Sequence, residues 1–88
     1  MDSKIENLKK RIIYRSQYRG TKEMDKILGA FVLQYINDFK EIQLLNLEKF
    51  LEIDDDNLYK YYNGFRTDIV FEDNEINNLF KNFRFNKK

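Results

Sequence analysis

Arg15-Ser-Gln-Tyr-Arg19-Gly20-Thr-Lys-Glu23-Met-Asp25 is a charged corner, punctuated by one glycine, between two stretches with apolar residues at helical spacing. Upstream, Ile5, Leu8, Ile12 and Ile13 recur on one face, with Lys9, Lys10 and Arg11 on the other, which predicts a helix over 4–18. Arg15 and Arg19 lie near its C-terminal end, where cations suit the helix dipole. Gly20 then reads as a left-handed terminator. Thr21 is a fair N-cap for the next helix, with Glu23 and Asp25 in its first turn. Because unpaired buried charge is strongly disfavoured, the corner is expected to be exposed, with its charges aimed outward at a partner.

Working outward, Met24, Ile27, Leu28, Phe31, Tyr35 and Ile36 form an apolar stripe that carries the second helix to about residue 37. Asp38-Phe-Lys-Glu41 predicts a capping box for a third helix to about Glu52, burying Leu44, Leu47, Phe50 and Leu51. Asp54-Asp55-Asp56 opens a short fourth helix with Leu58, Tyr61 and Tyr62, which Gly64 stops. Residues 65–71 read as an extended connector packed by its apolar residues, since a lone strand would have nothing to pair with. A last helix begins near Asp73, with Ile76, Leu79, Phe80 and Phe83 at helical spacing, and the terminal Asn-Lys-Lys should fray. The expected fold is all-α: a single small domain, residues 1–88, of about five short helices.

Composition narrows the function. Eighty-eight residues, 42% hydrophobic and 16% aromatic, suffice for one compact core but not for a roomy buried active site besides. Three glycines and no proline favour helices joined by short corners. With neither cysteine nor histidine, the chain has no disulfide framework, no Cys/His zinc site, no thiolate nucleophile and no histidine base. A net charge of +1 argues against nucleic acid as partner. No apolar run approaches the roughly 20 residues of a membrane span, and the N-terminus resembles neither a secretory signal nor a transit peptide. The expected location is therefore the cytoplasm, with the mitochondrial matrix an option only if a transit peptide is missing from this chain.

Each candidate site has a plain reading beside its functional one. Arg19-Gly20-x-x-Glu23 is first an ordinary helix junction, although a junction needs neither the arginine nor the two carboxylates, Glu23 and Asp25, beyond it. Arg11, Arg15 and Arg19, four apart, are either a solvated face or a small basic stripe for an acidic or phosphate-bearing surface. The three aspartates lack the glycine and downstream glutamate of a calcium loop, and helix capping accounts for them better. Tyr59, Tyr61, Tyr62 and Phe65 suit the core and its rim, or an interface.

Taken together, R-G-x-x-E at Arg19–Glu23, Asp25, Phe31 and the segment Phe50-Leu-Glu52-Ile-Asp54-Asp55-Asp-Asn-Leu58-Tyr59 resemble the SdhE family of FAD assembly factors, called succinate dehydrogenase assembly factor 2 in mitochondria. The likeness covers roughly residues 8–64, and the tail beyond residue 65 adds nothing to it. Two positions depart from the family pattern: Asp56-Asn57 stands for its usual proline and aspartate, and Tyr61 for its usual tryptophan. Both bear on the packing of the fourth helix rather than on the corner.

The resemblance implies a five-helix domain that binds the flavoprotein subunit of succinate dehydrogenase, or of fumarate reductase, and promotes covalent attachment of FAD to it. Such a protein is a chaperone of assembly, not an enzyme; it has no cofactor of its own, and the acceptor histidine belongs to the partner. Carried onto this chain, Arg19, Gly20 and Glu23 are the partner-binding motif, flanked on geometric grounds by Arg15 and Asp25. A monomer is expected. The alternative is a small regulatory helical module, antitoxin-like, with no flavoprotein partner.

Overall fold

The computed structural model describes residues 3–84. Five helices follow in order: α1 (Ser3–Gln17), α2 (Lys22–Tyr35), α3 (Glu41–Phe50), α4 (Asp55–Tyr62) and α5 (Glu75–Asn82). No strand occurs among the described residues, in keeping with the all-α expectation. The terminal Asn-Lys-Lys lies outside them.

The predicted stripes become the core. Ile12, Leu28, Phe31, Val32, Leu44, Leu47, Leu58 and Phe80 are all fully buried. Phe31 stands at the centre, meeting the rings of Tyr35, Phe80 and Phe83 edge-on at 5.3, 5.3 and 5.4 Å, the geometry aromatic quadrupoles favour. α1 packs on α2 and α3, and α5 closes the other end against α3 and α4. The radius of gyration, 12.7 Å, is close to the roughly 12 Å of a compact globule of this length.

Side-chain caps fix the starts of three helices. Thr21 Oγ1 accepts from the Met24 N–H at 3.2 Å, Asp54 accepts from that of Asn57 and Asn74 from that of Asn77. α3 corrects the sequence reading. The chain keeps turning after Tyr35, with the Asp38 N–H donating to the Tyr35 carbonyl at 2.9 Å. Asp38 therefore finishes the α2 turn, and α3 is capped two residues later, where Gln43 accepts the Lys40 N–H at 2.7 Å.

The corner and the connector differ from expectation as well. Gly20 is not left-handed; the glycine with positive φ is Gly64, at 77°, which does end α4. The connector packs only Phe71 of its apolar residues against the core; Phe65, Ile69 and Val70 are exposed, Val70 to 93%. It is pinned by backbone and by one ring instead. Buried Asn57 accepts the Asp68 N–H, Asn77 donates to the Glu72 carbonyl, and Phe71 stacks on Tyr61 at 3.9 Å. Asn57 and Tyr61, two of the three residues that depart from the family pattern, thus both hold the connector.

Candidate functional site

Of the five candidates at the corner, Arg19 and Asp25 are brought into contact, and they do not all face outward. The chain leaves α1 after Gln17 and must start α2 at Lys22, which leaves the intervening backbone N–H groups without helical acceptors. Carboxylates supply them. Asp25, in the first turn of α2, reaches back to accept the Arg19 N–H at 2.5 Å, and Asp55, at the start of α4, accepts the Gly20 N–H at 2.8 Å. No left-handed residue is needed, because both turn amides are satisfied in place.

Arg19 is turned inward, contrary to the sequence expectation. Its side chain is 11% exposed, and its guanidinium donates from Nε to Asp55 Oδ1 at 2.7 Å, from Nη1 to the Leu51 carbonyl and from Nη2 to the Ile53 carbonyl. Those carbonyls belong to the turn between α3 and α4, where helix geometry leaves oxygens unpaired. One planar fork therefore caps the end of α3 and salt-bridges the start of α4, a use that suits arginine and not lysine. A Cβ at Gly20 would lie 3.2 Å from Asp55 Oδ2, so the missing side chain lets the carboxylate sit against the backbone.

Asp55 was the residue sequence reasoning missed. Its signal was a surplus: of three consecutive aspartates only Asp54 is needed as the cap. Asp54 is held below the usual carboxylate range chiefly by the Asn57 side-chain amide, then by the Asn57 N–H. Asp56 pairs with Lys60 at 3.0 Å. Each aspartate thus has its own bonded partner.

Arg15 and Arg11 do not extend a stripe to Arg19. Arg11 forms a bidentate pair with Glu48 of α3, and Arg15 stands 3.6 Å from the same carboxylate, while Arg19 departs to α4. Glu48 is held below the usual carboxylate range by the Arg11 hydrogen bond first. Glu23 remains exposed at the lip of an open groove of ≈ 300 Å³ lined also by Thr21, Asp55, Asp56 and Tyr59. Of the five candidates, Asp25 and Arg19 serve the fold; Gly20, Glu23 and half of Arg15 are presented to solvent.

Fold and corner define a small all-helical domain whose distinctive feature is an arginine clamp joining the ends of α1, α3 and α4. Residues 10–84 match the family described as the flavinator of succinate dehydrogenase, and the chain belongs to that family. The match runs through α5, well past residue 65, where the sequence motifs fall silent. Among similar proteins are succinate dehydrogenase assembly factor 2-B, mitochondrial, of Drosophila willistoni, 36% identical over 50 residues (57% of this chain, 32% of the relative). The mitochondrial succinate dehydrogenase assembly factor 2 of Dictyostelium discoideum is 34% identical over 59 residues, 67% of this chain and 42% of its own. That of Scheffersomyces stipitis is 37% identical over 49 residues, 56% and 33% respectively. The chain thus spans a third to two fifths of the relatives it matches. No solved structure matches it. No described helix is long and apolar enough to cross a membrane.

Proposed function

We propose that this domain is an assembly factor for succinate dehydrogenase: it binds the flavoprotein subunit and promotes covalent attachment of FAD to it, without being an enzyme or holding a cofactor. The observation that carries this reading is the family match over residues 10–84, which includes the whole clamped corner. The chain has no histidine or cysteine to accept a flavin, so the acceptor belongs to the partner and the hard chemistry to the flavin itself. A helper then acts by geometry. It holds the mobile part of the partner closed, so that acceptor and ring meet at near-attack distance.

The corner offers two features for this. Exposed Gly20 carries no Cβ, so a partner backbone can approach closely. Glu23 offers a solvent-facing carboxylate that can orient a donor on the partner. The flavoprotein of fumarate reductase fits the same reading. The compartment follows the partner: cytoplasm in a bacterium, mitochondrial matrix in a eukaryote. The test is co-expression of the flavoprotein with wild type, Gly20→Arg or Glu23→Ala, followed by in-gel flavin fluorescence. Covalent flavin should fall with both variants; unchanged flavin in both refutes the role of the corner.

A further inference from the structure

The outer face of α1 is not used by the clamp, and it carries the largest exposed aromatic pair of the described residues. Tyr14 and Tyr18, one helical turn apart, are 64% and 68% exposed, and their rings lie 4.6 Å apart. Neither hydroxyl has a hydrogen-bond partner among the described residues. Between them in sequence stands Arg15, its side chain 47% exposed, sharing one oxygen of Glu48 at 3.6 Å while Arg11 takes that carboxylate bidentately. One carboxylate thus serves two guanidinium groups, and most of the donors of Arg15 remain open to solvent.

The charge of α1 itself is one-sided, with Glu48 of α3 the carboxylate set against it. α1 carries five cations, Lys4, Lys9, Lys10, Arg11 and Arg15, against Glu6. The whole chain is only +1, so the remainder of the molecule is net acidic. Exposed tyrosine beside arginine is the composition of interface anchors: large, stiff amphipathic rings next to a planar donor fork.

We propose that the Tyr14–Tyr18 pair with Arg15 is a second docking surface, separate from the Gly20 corner, and that its occupant is an acidic protein segment. A partner carboxylate would complete the donors of Arg15 and accept from a tyrosine hydroxyl, while the segment's apolar stems lie on the rings. A nucleic acid or an anionic membrane fits less well. Either presents charge over a wide front, and the net acidic remainder of the chain would repel it, whereas a short acidic segment meets only α1. Resting on the function proposed above, the segment belongs to the flavoprotein subunit.

Binding of the full chain to purified flavoprotein subunit, by biolayer interferometry, tests this. Tyr14→Ala/Tyr18→Ala should raise Kd by about tenfold or more, mainly through a faster off-rate. Arg15→Glu should do at least as much, Arg15→Lys should recover part of the loss, and wild-type binding should weaken with salt. All these positions are exposed, so circular dichroism should show an unchanged fold. A benzoylphenylalanine placed at position 18 should cross-link to a peptide rich in Asp and Glu. If the wild type fails to bind the flavoprotein, the functional reading falls. If it binds and the α1 variants bind equally well, or the cross-link lands on a basic or apolar segment, the docking surface falls. Wild type held on anionic vesicles or RNA, with that binding lost in Arg15→Glu, likewise overturns the protein occupant.

Discussion

Removing Arg19 should unfold the domain more than it disarms a surface. The guanidinium donates to the Asp55 carboxylate and to the carbonyls of Leu51 and Ile53, and no other side chain donates to those two oxygens. A charge-assisted hydrogen bond contributes about 1.5–3 kcal/mol. The three bonds share one side chain at the edge of water, however, and solvent would reach the vacated carbonyls. We therefore expect about 3 kcal/mol for Arg19→Ala, at the lower end of the cost of breaking a buried pair. For a domain of this size that lowers Tm by about 12–24 °C. Asp55→Ala loses the bonds from Arg19 Nε and the Gly20 N–H, about 2 kcal/mol. Because each variant removes the same salt bridge, the double variant should cost about 1–3 kcal/mol less than the sum. Urea and thermal denaturation followed by circular dichroism measure all three. Were Arg19 an outward docking residue, Arg19→Ala would cost less than about 0.5 kcal/mol, as exposed substitutions do, and would show no coupling to Asp55. That result refutes the clamp.

Three further outcomes are expected. Gly20→Ala places a Cβ 3.2 Å from Asp55 Oδ2, so the carboxylate must shift by a few tenths of an ångström; a loss of about 1 kcal/mol that disappears in an Asp55→Ala background identifies the contact. Gly29→Ala, in the interior of α2, meets only Gln17 Cγ at 3.4 Å, and the gain in helix propensity should raise stability by about 0.5–1 kcal/mol, read as a higher urea midpoint. Glu48 is depressed by its hydrogen bond from Arg11, so its contribution is complete above the unfolded carboxylate pKa and is lost as pH falls through the lower folded value. Stability should decline on acidification below roughly pH 4, and Glu48→Gln should flatten that decline.

Helices were legible because each stripe repeats at helical spacing and because Thr21 and Asp54 are caps by residue type. The start of α3 was misread by two residues. Asp38 and Lys40 both precede an apolar run, and residue type alone does not reveal that Asp38 continues the α2 turn while Gln43 accepts the Lys40 N–H. The connector was misread because its bonds run to Asn57 and Asn77, polar side chains whose partners no hydrophobic pattern reveals. At the corner, residue identity was legible and direction was not. Arg19 and Asp55 are 36 residues apart, and nothing local to either announces the other. The outward expectation rested on the cost of unpaired charge, and the premise that failed was that the charge was unpaired.

The clamp also separates two meanings of a functionally essential residue. Through Arg19 and Asp55, the end of α1, the carbonyls of the α3–α4 turn and the first turn of α4 are held together. The groove beside Glu23 is lined by Thr21, Asp55, Asp56 and Tyr59, and Asp55 is the carboxylate that Arg19 holds. Under the proposed function, a partner that meets Glu23 does so beside a carboxylate that Arg19 holds in place. If the corner docks a partner as proposed, loss of Arg19 should lower affinity through the scaffold, with stability and affinity falling together. Loss of Glu23, whose side chain makes no hydrogen bond or ion pair among the described residues, should on the same proposal lower affinity and leave stability in place. The same pair of measurements on two residues four positions apart thus distinguishes the part of the corner that holds the fold from the part proposed to meet a partner.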